Sequence, residues 1–280
     1  MIRVLKTGLY SSIQDLGRHG YQDYGVPYSG VMDVYSASIA NILLGNDVHA
    51  AVIEITMTGP ILEFNCETSI CISGADISPK INGTSIKLNK PILVKSGDVV
   101  SFGKLVSGFR SYLAVLGGFK TENVMNSYSM YQGITKQSTL FKNDELLIDT
   151  SLKGLGMKHA AIKVIKGHTT NQIEVFKGPE FYKLTKAQQD ILVTQGFTIS
   201  KENNRMAYQL NEPLANNLES IITSSVLPGT VQLTPSGKLI ILMRDCQTTG
   251  GYPRVLQLKE ASINILAQKF TGNTIYFNLM

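Results

Sequence analysis

Residues 55–88 read ITMTGPILEFNCETSICISGADISPKINGTSIKL. Apolar and polar residues alternate, break at Gly59-Pro60, and alternate again. Period two is the spacing of a strand with one buried face. Asn82-Gly83, between two such runs, is a hairpin turn, because both residues tolerate a left-handed backbone. The same pattern extends outward through PILVKSGDVVSFGKLVSGFRSYLAVLGGF, residues 91–119. A second series starts at QIEVFKGPEF (172–181) and runs through GFTISKENNRMAYQL (196–210), GTVQL (229–233) and KLIILMRD (238–245). Many short, evenly spaced strands with glycine turns predict a mainly β protein built as barrels or sandwiches.

Helices are few. VYSASIANILLGN predicts a helix over 34–46, with Asp33 at the N-cap and Gly45-Asn46 as its stop. LKEASINILAQKFTGN predicts another over 258–273, and TKAQQDILVTQG a third over 185–196, capped by Thr185. The first two belong to an internal repeat. IQDLGRHGY (13–21) and MRDCQTTGGY (243–252) each hold an aspartate and then a glycine-rich turn ending in tyrosine. Each is followed by a helix containing Ala-Ser-Ile and closed by Gly-Asn. A repeated β-rich unit predicts two similar lobes, 1–155 and 156–280, with a boundary near LKGLGMKHAAIKV (152–164) and room for strand exchange.

Composition excludes several classes. Of 280 residues, 43% are apolar and 17% charged, enough for a packed core. The net charge of +5 is carried by scattered lysines, so no nucleic-acid stripe is expected. Cys66, Cys71 and Cys246 read as reduced, small apolar residues. No metal site is expected, because His19, His49, His159 and His168 lie far apart. Arg3 and Lys6 precede polar GLYSSIQD, and no stretch is long enough to span a bilayer; a cytoplasmic location is the expectation.

Two stretches carry candidate chemistry. In DCQTTGGYP (245–253), Gly250 and Gly251 supply positive φ in a tight turn, or line a ligand cradle with the threonine hydroxyls. In SSIQDLGRHGYQDYGVPYSGVMD (11–33), Gln14, Asp15 and Arg18 offer an amide, a carboxylate and a guanidinium within one turn. Arg18 can grip a carboxylate or phosphate, and Asp15 can orient it or act as a base; a local Asp15–Arg18 pair is the plainer alternative. Glu54 stands in an apolar strand and needs a partner or faces solvent. Neither a P-loop, a dinucleotide fingerprint nor a G-x-S-x-G elbow is present.

Several segments together resemble the biotin-dependent carboxyltransferase-like family, which includes allophanate hydrolase subunit 2, the Kip antagonists and the C subunit of bacterial 5-oxoprolinase. They are residues 11–33, then ANILLGN (40–46), EITMTGPILEF (54–64), SGAD (73–76), ING (81–83), RSYLAVLGGF (110–119) and PGTVQLTPSGKLIILMRDCQTTGGYP (228–253). The resemblance implies two cyclophilin-like β-barrel lobes. It implies a small-molecule substrate, a partner of the 5-oxoprolinase B or Kip-inhibitor type, and a further partner of the lactam-utilisation type, the 5-oxoprolinase A component. The expected role is that of the C component of an ATP-dependent 5-oxoprolinase, with ATP used by the assembled complex and no covalently bound cofactor. The alternatives are a Kip antagonist without catalysis, or the carboxyltransferase component of a split biotin-dependent carboxylase. The resemblance favours the cradle, with Gln247, Thr248, Thr249, Gly250, Gly251 and Tyr252 as one wall and Gln14 and Arg18 as another. Amide chemistry needs oxyanion donors and a carboxylate for protons, so Asp15 and Asp245 are the catalytic candidates. One departure stands out. In NSYSMYQG (126–133), Tyr128 replaces the usual arginine and Met130 the usual threonine, so an anion held by that arginine would lose its partner.

Overall fold

The computed structural model describes residues 1–151 and 170–280. They fall into two compact units, 1–18 with 29–151, and 19–28 with 170–280. The lobe boundary expected at 155/156 lies outside the described residues.

The first unit contains β1 (Ile2–Lys6), β2 (Tyr10–Gln14), α1 (Val34–Leu44), β3 (Val52–Thr56), β4 (Ile61–Phe64) and β5 (Thr68–Asp76). It continues with β6 (Lys80–Ile81), β7 (Thr84–Ser85), β8 (Ile92–Val94), β9 (Val99–Ser101), β10 (Ser107–Val115) and β11 (Glu145–Leu146). Their hydrogen bonds make two sheets, ordered β11-β1-β4-β9-β6-β7 and β2-β3-β10-β5-β8. Alternation explains the layering. Ile53 and Ile55 of β3, Ile70 and Ile72 of β5, and Leu113 and Val115 of β10 join Val4, Leu62 and Phe64 in one core. The residues between them face the other way. Val52, Cys71, Tyr112 and Ala114 pack on Ala37, Ala40 and Leu44 of α1. Asp33 caps α1 by accepting from the Ser36 N–H at 3.0 Å, and Gly45 ends it with φ 74°. Asn82 and Gly83 both have positive φ between β6 and β7, so the expected hairpin forms.

The second unit holds β12 (Gln172–Lys177), α2 (Lys186–Thr194), β13 (Phe197–Asn203), β14 (Ala207–Leu210), β15 (Ser224–Ser225) and β16 (Thr230–Leu233). It ends with β17 (Leu239–Leu242), β18 (Thr249–Gly250), β19 (Arg254–Leu258), α3 (Glu260–Ala267) and β20 (Thr274–Leu279). Seven strands close into a barrel, β12-β19-β16-β17-β14-β13-β20. The parallel pairing of β20 with β12 makes the closure. Ile173, Val175, Ile199, Val231, Leu233, Ile241, Val255 and Ile275 are fully buried in this unit. Thr185 and Gln188 form a capping box at α2. The helix expected over 258–273 is shorter than its apolar pattern. Leu258 belongs to β19, and Gly272-Asn273 turns the chain into β20: Asn273 Oδ1 accepts from the Phe270 N–H. Strand pairing at both ends outweighs the helical spacing. The protein is therefore mainly β, with three α-helices and one closed barrel among the described residues.

Candidate functional site

The end of β2 places Gln14, Asp15 and Arg18 against the segment 124–130. The Asp15 carboxylate accepts four hydrogen bonds. The Ser127 and Ser129 hydroxyls donate to Oδ1 at 2.7 and 2.6 Å, the Gly17 N–H also to Oδ1 at 2.9 Å, and the Tyr128 N–H to Oδ2 at 2.6 Å. Gln14 Nε2 donates to Ser12 Oγ and to the Met130 carbonyl. Arg18 donates to the carbonyls of Val124 (3.0 Å) and Ser129 (2.7 Å). Each side chain is held by residues more than a hundred positions later, with local contacts from Gly17 to Asp15 and from Gln14 to Ser12 added. All three are buried. The arrangement makes them a clamp on the 124–130 segment.

The two departures in this segment leave the clamp intact, because serine hydroxyls and main chain do the holding. Tyr128 packs against the unit's core, and the Lys120 ammonium lies 5.9 Å from its ring centroid. A cation thus remains beside the position where the family's arginine was expected. Met130 also packs on the core, and its N–H donates to the Ile13 carbonyl at 2.9 Å.

On the α1 side of β3 and β10 lies a second polar group. Glu54 is fully buried. It accepts from the Met32 N–H at 2.7 Å and from the Tyr112 hydroxyl at 3.0 Å, with Arg110 Nε 3.8 Å away. Tyr112 in turn accepts from the Asp33 N–H at 2.8 Å. Burial, then the charges of Glu54 and Asp33, push the Tyr112 phenol well above its ordinary value, so it stays a donor. The partner that sequence demanded for Glu54 is therefore a tyrosine and an arginine of β10.

In the second unit, Asp245 follows β17 and meets Arg205 in a two-pronged pair, Nε–Oδ2 2.8 Å and Nη2–Oδ1 3.0 Å. The following residues form a two-stranded ribbon on the barrel. Thr249 and Gly250 pair with Ser225 and Ser224. The Val226 N–H donates to the Thr248 carbonyl, and the Ile221 N–H to that of Gly251. Here the structure corrects the expectation of positive φ at Gly250 and Gly251: neither adopts it. Gly250 is extended in the ribbon, and its missing side chain serves close approach. A Cβ there would stand 2.5 Å from Gln232 Nε2. Gln247 Oε1 is enclosed without a hydrogen-bond partner among the described residues. Tyr252 is half-exposed, and Pro253 immediately precedes β19.

A residue that sequence reading passed over ties this ribbon down. Arg254 donates through Nε and Nη2 to both oxygens of Glu180, each at 2.9 Å. Its Nη1 donates to Ser224 Oγ (2.8 Å) and the Ser225 carbonyl (3.0 Å). The Arg254 hydrogen bonds hold the Glu180 carboxyl below its ordinary range, and Glu180 raises Arg254. Position was the available signal: Arg254 directly follows the glycine signature, and Glu180 follows Gly178-Pro179.

Among the described residues, no three His, Cys, Asp or Glu side chains cluster as a metal site. Burial pushes the Cys71 and Cys246 thiols up to about 12, which suits packing and opposes thiolate chemistry. No helix among the described residues is long and apolar enough to cross a membrane.

Comparison with known proteins agrees with this architecture. The chain is 32% identical to the C subunit of Escherichia coli K12 5-oxoprolinase over 282 aligned residues, covering 99% of this chain and 90% of that one. The structure superposes on the urea amidolyase of K. lactis with a TM-score of 0.87 at 28% identity, covering 99% of this chain but 18% of that one. TTHA0988 shares the fold, with a TM-score of 0.89 at 24% identity; this chain spans 56% of its length. The model of the carboxyltransferase domain, subdomain A and B, matches residues 24–279. With nearly the whole length matched, the chain belongs to the carboxyltransferase domain family, subdomain A and B.

Proposed function

We propose that this chain is the C-type component of a multi-subunit, ATP-dependent hydrolase that opens 5-oxoproline to glutamate. One observation carries the reading: the similarity to the 5-oxoprolinase C subunit covers nearly the full length of both chains. Urea amidolyase, by contrast, is matched over less than a fifth of its length. The balanced reaction consumes 5-oxoproline, ATP and two waters, one to open the lactam and one to hydrolyse ATP, and yields glutamate, ADP and phosphate. ATP and the remaining machinery belong to the assembled complex, with a B-type partner of the Kip-inhibitor kind and an A-type partner of the lactam-utilisation kind.

The accessible groups of the glycine signature, Thr248, Thr249 and Tyr252, are assigned to substrate contact. Gln247 is assigned with them by its place in the signature alone, since its carbonyl oxygen is enclosed. Gly250 and Gly251 shape this wall. Asp15 and Asp245 are assigned to positioning, because hydroxyl, main-chain and guanidinium donors already engage their oxygens. Gln14 and Arg18 brace the turn that holds Asp15.

The test is glutamate formation from 5-oxoproline and ATP by this chain mixed with the products of its neighbouring genes. Turnover that requires this chain supports the reading. The Thr248→Val/Thr249→Val double variant is expected to lower kcat/KM about 10-fold or more while leaving assembly intact, the loss when buried partners go unpaired. The family's name favours a second reading, carboxyl transfer from biotin. Turnover that needs a biotinylated carrier and bicarbonate would replace the first reading with that one. A stable complex without turnover would point to a Kip antagonist.

A further inference from the structure

Asn82 is the one asparagine of the chain that a glycine follows. Asparagine side-chain amides are chemically labile. A following glycine has no side chain to shield its main-chain nitrogen from the asparagine side-chain carbon. The pair sits at the tip of the β6–β7 hairpin, where both residues are exposed and left-handed, with φ 49° and 82°. A Cβ at Gly83 would meet no atom within 4 Å. β6 and β7 have two residues each, and β7 is the edge of its sheet. Such short edge pairs open locally more readily than core strands.

The amide itself is held. Asn82 Nδ2 donates to Asp98 Oδ1 at 2.8 Å, and Asn82 Oδ1 accepts from the Val99 N–H at 2.9 Å. The Asn82 N–H donates to the Val99 carbonyl at 2.9 Å. Asp98 Oδ2 accepts from the Lys95 N–H at 2.7 Å, which fixes the carboxylate. With both polar atoms engaged, the carboxamide cannot turn toward the Gly83 nitrogen until these bonds part. We propose that Asn82 is a deamidation site gated by its hydrogen bonds to Asp98 and Val99, reacting when the β6–β7 hairpin opens. In the open hairpin the Gly83 nitrogen bonds to Asn82 Cγ. The Cγ–Nδ2 bond breaks, and Nδ2 leaves as ammonia with the Gly83 proton. One water then opens the cyclic imide at either carbonyl, leaving aspartate or isoaspartate and releasing a proton. The aspartate product sets a carboxylate oxygen where the donor to Asp98 stood, so that bond cannot re-form.

The test is peptide mapping by mass spectrometry of the purified full chain, aged in mildly alkaline buffer beside a free peptide of residues 79–86. Asn82 is expected to convert in the folded chain ahead of the other asparagines, yet about 10-fold or more slower than in the peptide. Asp98→Ala is expected to raise the folded-chain rate about 3-fold or more, the weight of one exposed, charge-assisted hydrogen bond. Asn82→Asp, which copies the product, is expected to melt below wild type. Asn82→Asp/Asp98→Asn is expected to recover part of that loss. It reverses donor and acceptor while leaving the Lys95 and Val99 N–H groups their acceptors. Conversion as fast as in the peptide overturns the proposal, and so does an intact Asn82 while other asparagines react. An Asp98→Ala rate equal to wild type overturns it too, as does a double variant no more stable than Asn82→Asp. The ratio of folded-chain to peptide rates needs no variant, so it tests the gate even if Asp98→Ala is unstable. Because the chain is aged alone, the result is independent of whether the assembled complex opens 5-oxoproline.

Discussion

Removing Arg205 tests whether Asp245 holds the fold or carries protons. Both side chains are nearly enclosed, 7% and 11% exposed, and the pair is two-pronged at 2.8 and 3.0 Å. The Asp245 N–H also donates to the Arg205 carbonyl at 2.9 Å, so main chain and side chains tie the same two residues. Breaking one side of a buried pair leaves an uncompensated charge and costs about 3–5 kcal/mol. Arg205→Met is therefore expected to lose that much stability. With an m-value of about 2 kcal/mol/M, the urea midpoint falls by roughly 1.5–2.5 M. The chain has no tryptophan, so far-ultraviolet circular dichroism and tyrosine emission are the probes. Arg205→Met/Asp245→Leu, which removes both charges, is expected to recover most of the loss, since apolar replacement of a whole buried pair is often neutral. The reasoning fails if Arg205→Met costs under about 1 kcal/mol, the range of solvent-screened pairs. It also fails if the double variant is as unstable as the single one.

Three further outcomes follow from the same geometry. Glu54→Ala takes the carboxylate from beside buried Arg110 and is expected to cost about 3–5 kcal/mol, while Tyr112→Phe, which deletes one hydroxyl between Glu54 and the Asp33 N–H, costs about 1–3 kcal/mol; denaturant unfolding of both checks the order. Gly178→Ala would place its Cβ 2.1 Å from the Arg254 carbonyl oxygen, a backbone atom that cannot step aside, so little soluble folded protein is expected; a wild-type melting curve would refute this. Glu180, depressed below its ordinary 4.5 by Arg254, stabilises the fold above the unfolded value, and that contribution is lost as pH falls through the folded one. Glu180→Gln should thus be less stable than wild type at about pH 6, and the difference should shrink as pH falls below about 4.5; a gap that does not narrow over that fall would contradict the linkage.

The elements that sequence made legible are those whose signals are local. Asp33 and Gly45 bracket α1, Thr185 and Gln188 cap α2, and Asn82-Gly83 turns β6 into β7, each through contacts with residues a few positions away. Glu54 was legible as a demand, because a carboxylate between isoleucines needs a partner, but nothing local named Tyr112 and Arg110. The long-range half of the site was not legible. Asp15 and its serines are separated by 112 and 114 residues, and the motif that contains them reads as a departure at Tyr128 and Met130. Only the folded chain shows that Ser127 and Ser129, on either side of Tyr128, hold the aspartate.

The glycine signature shows why such a motif resists a local reading. A glycine relieves two distinct constraints, a backbone that must turn left-handed and a neighbour that must come close. In sequence the two are indistinguishable, and a pair of glycines between a threonine and a tyrosine suggests the first. Gly250 serves the second. Its neighbour is Gln232, on β16, the strand that pairs with β19. The same register sets Gln232 opposite Arg254, which anchors Ser224 and Ser225 and, through them, the ribbon that carries Thr249. A Gly250→Ala substitution therefore separates the two constraints. The extended backbone accepts alanine, so a left-handed strain is absent, yet the methyl must displace the Gln232 amide. Full stability with altered substrate contact would mean that the amide yields; loss of the ribbon would mean that it cannot. Only the second outcome makes the glycine a requirement of what lies beneath it, and that neighbour becomes visible only when β16 and β19 are paired.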